Sequence, residues 1–221
     1  SVRVYKNDEI PDTIIRKCLE NALKAPTSSN LQTWEIYWVK SNKNKNDLIK
    51  ACFSQPAAKT AKELFVFVSR PDLWRRNNQM MIDYLNEKKN TPVSVLKYYN
   101  KITKLAYNQG FMNIFGFLKK LYVSIVGLYR VIPREPTSFN DMKVWSQKTT
   151  ALACQNFMLS MRAYGFDTCP MEGFDSSRLK KTLKLPKKAQ ICMVIAAGKR
   201  DPNGVYGKQF RFDNKLFIKE V

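Results

Sequence analysis

The chain has 221 residues, 44% hydrophobic and 12% aromatic, which fits a folded globular protein and excludes a disordered one. It contains no histidine, so Ser-His-Asp and Cys-His catalysis, histidine-ligated zinc and a histidine general base are all excluded. Thirty-eight basic against eighteen acidic residues give a net charge of +20. That field draws in anions without identifying one, and its plain reading is a solvated lysine-rich surface, not a nucleic-acid footprint.

Eight glycines include no G-x-G-x-x-G or Walker-type run, so any nucleotide is bound without a glycine-rich loop. Cys18, Cys52, Cys154, Cys169 and Cys192 form no C-x-x-C pair and read as reduced core residues of an intracellular protein. The pattern offers no metal site, and the expected location is cytoplasmic.

From the first residue, Ser1-Val2-Arg3-Val4-Tyr5-Lys6 alternates polar and apolar side chains, unlike a secretory leader. Ile14, Ile15, Cys18, Leu19, Ala22 and Leu23 then fall on one face of a helix that opens at Asp12 and stops before Pro26. Trp34 to Val39 reads as a buried strand, Asp47 to Phe53 as a short helix, and Leu64 to Ser69 as a second strand. Trp74 to Glu87 is an amphipathic helix.

Val95 to Arg134 holds seven basic residues and no acidic one. Within it Phe111, Ile114, Phe115, Leu118, Leu121, Tyr122, Ile125 and Tyr129 follow helical spacing. Lys119 and Lys120 in the middle argue against a membrane span. Residues 110–132 therefore either pack on the protein or a second subunit, or make a peripheral contact with an anionic membrane.

Val144 to Tyr164 is a long helix apolar on most sides, as at a domain centre or subunit interface. Asp175 and Ser176 are candidate caps for a helix over 177–183. Arg178 to Lys188 is the densest basic run, and Gln190 to Ala197 is a third buried strand closed by Gly198. Buried strands with helices between them predict a layered α/β or α+β domain.

Several segments carry a resemblance. Ser1-Val2-Arg3-Val4-Tyr5, and later Ala25-Pro26-Thr27-Ser28-Ser29-Asn30-Leu31-Gln32-Thr33-Trp34, resemble the S-x-R-x-[FY] and A-P-[ST]-S-x-N-x-Q-P-W signature of flavin-dependent nitroreductases. Thr33 stands where that family usually has proline. Ala151 to Gly165 and Pro170-Met171-Glu172-Gly173-Phe174 are similar to the family's later helix and its P-[IM]-E-G-[FW] turn. Lys208-Gln209-Phe210-Arg211 is similar to its closing phosphate contact, with Gln209 where a lysine is usual and Lys208 as the substitute.

The resemblance covers about 1–70 and 144–221. It implies an α+β fold, a three-layer α-β-α sandwich around a central mixed, mostly antiparallel sheet, built as an intertwined homodimer. It implies one nitroreductase-like FMN-binding domain over 1–221, with a helical insertion at about 71–143. The FMN is expected to bind tightly, with Ser1, Lys208 and Arg211 at its phosphate and Arg3 and Gln55 at its pyrimidine edge. Pro26, Thr27, Ser28 and Asn30 would approach it from the second subunit. Pro170 and Met171 would pass along the ring, with the Glu172 and Gly173 backbone N–H groups near N5 and O4.

NADH or NADPH would supply hydride, and a nitroaromatic, quinone or related small-molecule acceptor would then take it in a ping-pong cycle. No catalytic side chain is implied, because the flavin carries the chemistry. Reductive dehalogenation, another chemistry of this superfamily, is disfavoured because 95–134 lacks a glutamate for the substrate clamp. A non-catalytic, membrane-surface or nucleic-acid binding role is the alternative class.

Overall fold

A computed structural model describes all 221 residues. Four strands, β1 (Trp34–Val39), β2 (Glu63–Ser69), β3 (Asp167–Met171) and β4 (Gln190–Gly198), form one sheet in the order β1-β2-β4-β3. Every pairing within the chain is antiparallel. The central strands β2 and β4 are buried on both faces, as their continuous apolar sequences require.

The alternation of β2 divides the core. Leu64, Val66 and Val68 join Val39, Cys169 and Met171 on one face, under α2 (Asn42–Ala51), α3 (Pro56–Thr60) and α9 (Ser176–Thr182). Phe65 and Phe67 point to the other face and pack on Phe157, with ring centroids 4.6 and 5.5 Å apart. That side is covered by α1 (Asp12–Leu23) and the long α8 (Phe139–Ala163), through Ile15, Cys18, Ala153 and Met161. The result is the expected α+β sandwich: helices, antiparallel sheet, helices.

Between β2 and α8 lie α4 (Trp74–Glu87), α5 (Val93–Lys97), α6 (Thr103–Tyr107) and α7 (Ile114–Val126), with a π-helical turn over Tyr98–Ile102. Trp74, Ile82, Tyr99 and Tyr107 form a third small core with Leu31 and Met142. The helix expected across 110–132 is interrupted: Gly110, Met112 and Asn113 take positive φ values of 72°, 47° and 67°, so α7 begins only at Ile114.

Two helices begin earlier than their apolar patterns indicate. Ser41 caps α2 by accepting from Asn44 N, and Ser138 caps α8 by accepting from Asp141 N at 3.0 Å. Asp141 in turn accepts from Thr137 N at 2.7 Å. No helix is long and apolar enough to cross a membrane.

Candidate functional site

β3 pairs only with β4 and is therefore a sheet edge, where Pro170 can sit although it lacks an N–H. Pairing ends at Met171↔Val194. The chain beyond it is clamped from two sides: Asp175 N donates to Ala51 O at 2.8 Å, and Asp175 Oδ1 accepts from Ser177 N and Arg178 N, both at 3.0 Å, to cap α9. Between the last β3 pair at Met171 and the anchored Asp175, the backbone N–H groups of Glu172 and Gly173 donate to no acceptor within the chain, and both residues are exposed.

Gln55, the residue before α3, reaches this loop and donates from Nε2 to Gly173 O at 2.9 Å. Its position is set by Pro56, which opens α3. A Cβ on Gly173 would lie 3.3 Å from Gln55 Nε2, so the glycine permits this close approach. At the other end of α3, Thr60 Oγ1 accepts from Tyr5 N at 3.1 Å. One short helix thus links the Gly173 loop to the amino-terminal segment.

Val2 and Tyr5 fix that segment. Both are buried, and the Tyr5 hydroxyl donates towards Val2 O (3.2 Å) and Ala196 O (3.3 Å). Arg3 N donates to Gly204 O, and Tyr5 bridges Arg200, so residues 1–5 lie along 199–204. Ser1 is left exposed and Arg3 half-buried beside β3, with Arg3 Nη1 3.5 Å from Cys169 Sγ. Burial pushes the Cys169 thiol up, while the Arg3 charge and the Ser1 amino group pull the other way without overcoming it. The thiol stays protonated and is a packing group, not a nucleophile.

A second group of residues gathers at the opposite edge of the sheet. The loop from Pro26 to Thr33 carries left-handed backbone at Ser29, Asn30 and Gln32 (φ 54°, 49° and 43°). It is held by three tyrosines, Tyr98, Tyr99 and Tyr107. Tyr107 OH lies 3.0 Å from Ser28 Oγ and 2.9 Å from Ser29 Oγ; Tyr98 OH lies 2.7 Å from Ser29 Oγ; Tyr99 OH donates to Ser29 O at 3.1 Å. Asn77 Nδ2 donates to Leu31 O at 2.6 Å, and Asn30 Nδ2 approaches Met81 Sδ at 3.4 Å.

Thr33, at the position that departs from the signature, is buried. Its Oγ1 lies 3.0 Å from Ser146 Oγ, which also accepts from Ser69 Oγ at 2.7 Å, tying the loop to α8 and β2. Asn30 and Gln32 line a cleft of about 540 Å³ with Leu23, Trp34, Arg76 and Met80.

The register places the Gly173 loop and the Pro26–Thr33 loop at one end of the sheet. Trp34 pairs with Ser69, Ser69 with Gln190, and the Gly173 loop leaves β3 just past Met171↔Val194. They lie on opposite edges, three strand spacings or about 14 Å apart. One chain therefore brings Ser1, Arg3, Gln55 and Pro170 to Gly173 along one edge, and Pro26, Thr27, Ser28 and Asn30 along the other.

Lys208 and Arg211 join neither group within the chain. Beyond Gly204 the segment is exposed throughout, and Arg211 Nη1 donates only to Phe210 O at 2.7 Å. Phe210, Phe212 and Phe217, all at least 63% exposed, pack on one another and on nothing larger.

Comparison with known proteins agrees with this architecture. The profile of the Nitroreductase family matches residues 1–199. A Thermus thermophilus protein named NADH dehydrogenase is 26% identical over 198 residues, covering 90% of this chain and 81% of that protein. A nitroreductase-like protein from Streptococcus mutans superposes with a TM-score of 0.73 at 21% identity, over 100% of this chain and 93% of the other. A candidate nitroreductase from Exiguobacterium sibiricum, solved in complex with FMN, gives 0.65 at 19% identity, over 100% and 92%. At such identities the structural likeness establishes the fold alone.

Proposed function

Because the chain belongs to the nitroreductase family, we propose that it is an FMN-dependent oxidoreductase. It would take hydride from NADH or NADPH and pass reducing equivalents to a nitroaromatic, quinone or related small-molecule acceptor. The observation that carries this reading is the pair of unspent backbone N–H groups at Glu172 and Gly173, on a loop clamped at both ends. Two unpartnered donors on a fixed loop suit an acceptor edge on which negative charge grows, as at the N5 and O4 positions of a flavin.

The remaining residues of that edge supply donors of the right kind. Ser1 offers a hydroxyl, Arg3 a guanidinium fork, and Gln55 an amide held in place by Gly173 O. Bound FMN supplies hydride acceptance and donation, which is why no side chain of the chain has to act as acid, base or nucleophile. The protein's part is to orient the ring against Pro170–Gly173, hold its anionic groups and exclude bulk water.

We assign the Pro26–Asn30 loop to the flavin of a second copy, since it stands at the far edge of the sheet from Gly173. Two exposed features favour a homodimer. Val144, Leu152 and Leu159 form a strip along α8 at spacings of eight and seven residues, and the aromatic tail beyond Gly204 has no cover. That tail would carry Lys208 and Arg211 to the phosphate.

The deciding measurement is the visible absorption spectrum of the purified protein, followed by anaerobic addition of NADH and, separately, NADPH. A yellow protein that bleaches with either donor supports the reading, and acceptor screening then follows. A colourless protein that takes up no added FMN removes it.

A further inference from the structure

α7 buries one apolar side and leaves a second apolar arc in the open. At 100° per residue, Phe117, Leu121, Ile114, Ile125, Leu118 and Tyr122 span an arc of about 140°. All six are exposed, from 48% to 63%. The face turned inward carries the half-buried Phe115, Val123 and Val126, with Lys119 as the one charged side chain among them. Lys119 Nζ donates to three backbone oxygens, Ala106 O at 2.6 Å, Pro136 O at 3.0 Å and Leu105 O at 3.3 Å. Gly116 is buried where a Cβ would strike Thr137 O. Arg134 closes the helix by donating to Val123 O and Gly127 O, both at 2.6 Å.

These contacts fix which side faces out, so the exposed apolar arc is built into the fold. It continues past the helix in Leu128, Tyr129 and Val131, each at least 76% exposed. Leu118 and Tyr122 also share a groove of about 500 Å³ with Ile102 and Leu105, whose neighbours Lys101 and Lys104 are exposed. Lys120 borders the arc and Arg130 follows it, both exposed. From Val95 to Arg134 there is no acidic residue, and Glu135, next in sequence, is the one exposed carboxylate lining the groove.

We propose that the α7 face is a docking surface for an anionic lipid bilayer, on which the helix lies in the plane of the interface. The charge favours this occupant over a second copy, which would bring the same basic segment against itself. Thirteen residues make a helix of about 20 Å, too short to span a bilayer but suited to lying among headgroups. Tyr122 and Tyr129 match the aromatic preference of that interface. Basic residues around an apolar strip are the arrangement that couples insertion to attraction by acidic headgroups.

Flotation of the purified protein tests the proposal, using vesicles of phosphatidylcholine alone and with about 30% phosphatidylserine. The protein should float with the anionic vesicles at low salt. Partition should fall at least about tenfold on the neutral vesicles, and likewise at high salt. The double variant Leu121→Glu, Ile125→Glu should lose flotation while keeping its melting temperature, since neither side chain packs in the core. Should that variant fail to fold, the lipid and salt arms on the unaltered protein decide alone. Protein remaining at the bottom of both gradients overturns the proposal. So does a halved mass of the folded variant in lipid-free light scattering, which would give the face to a second copy.

Discussion

Gln55 Nε2 and Gly173 O meet at 2.9 Å, although 118 residues separate them in the chain. The bond joins the residue ahead of α3 to the loop behind β3. The N–H groups of Glu172 and Gly173 in that loop have no protein partner.

Gly173→Val should yield a folded, colourless protein. Gly173 φ is not in the left-handed region, and the nearest obstacle to a Cβ is the end of the Gln55 side chain, so the backbone tolerates the change. With the flavin ring placed against this loop as proposed, a branched side chain there would block it. Circular dichroism should match the unaltered protein while absorbance near the flavin bands is lost. A yellow, active variant would place the ring elsewhere.

Arg211→Ala should weaken FMN retention by about 1.5–3 kcal/mol, the range for a charge-assisted hydrogen bond. Arg211 makes only a bond to its neighbour Phe210 within its own chain, so melting of the flavin-free protein should not change. FMN titration followed by fluorescence quenching gives the affinity directly. Equal affinities would remove the tail from the phosphate site.

Tyr107→Phe deletes one hydroxyl that serves both Ser28 and Ser29. The ring stays packed against Trp145, 4.5 Å between centroids, so the loss is confined to about 1–2 kcal/mol. Thermal unfolding should shift down by a few degrees, and FMN affinity should drop several-fold if the loop contacts flavin. Unchanged FMN affinity alongside a lowered melting temperature would confine Tyr107 to stability.

Acid stability should depend on Asp72. Its burial opposes ionisation, but the paired hydrogen bonds from Arg70, at 3.1 and 2.9 Å, outweigh that and hold the carboxyl below the usual range. A carboxylate with a depressed folded pKa stabilises above its unfolded pKa of about 3.9 and loses that contribution as pH falls through the folded value. Asp72→Asn should therefore be less stable than the parent at pH 7 and show a flatter acid limb. Parallel acid limbs in denaturant titrations would contradict the pairing.

All five cysteines are free and buried, and burial pushes Cys18 and Cys52 up to about 11. An aromatic disulfide reagent at pH 8 should find essentially no reactive thiol in the native protein and five after denaturation. Fast reaction of one thiol in the native state would reveal an opening that the packing does not contain.

Much of the fold is legible from local chemistry. β1, β2 and β4 follow from short runs of branched and aromatic residues, and α1 from its apolar spacing. β3 is not legible, because Asp167, Thr168 and Pro170 look like a turn, and only pairing with β4 makes them a strand. The start of α8 was written in a cap, Ser138 with Asp141, and not in apolar periodicity.

For α7 the spacing is correct, but spacing cannot tell which face turns inward. That choice was made by Lys119 finding three carbonyls. The same limit applies to the candidate site. Motifs indicate which residues belong to a site, while the grip of Tyr98, Tyr99 and Tyr107 on Ser28 and Ser29 depends on a long-range approach that no spacing encodes.

Ser29, Asn30 and Gln32 adopt their uncommon backbone angles within a lattice of tyrosine, asparagine and threonine contacts made by the chain itself. The conformational entropy of this loop is thus already spent at folding. A ligand arriving there meets a rigid wall and gives up mainly its own freedom. Calorimetrically, association should resemble lock-and-key docking, with a heat-capacity change set by the contact area and not by the ordering of a segment.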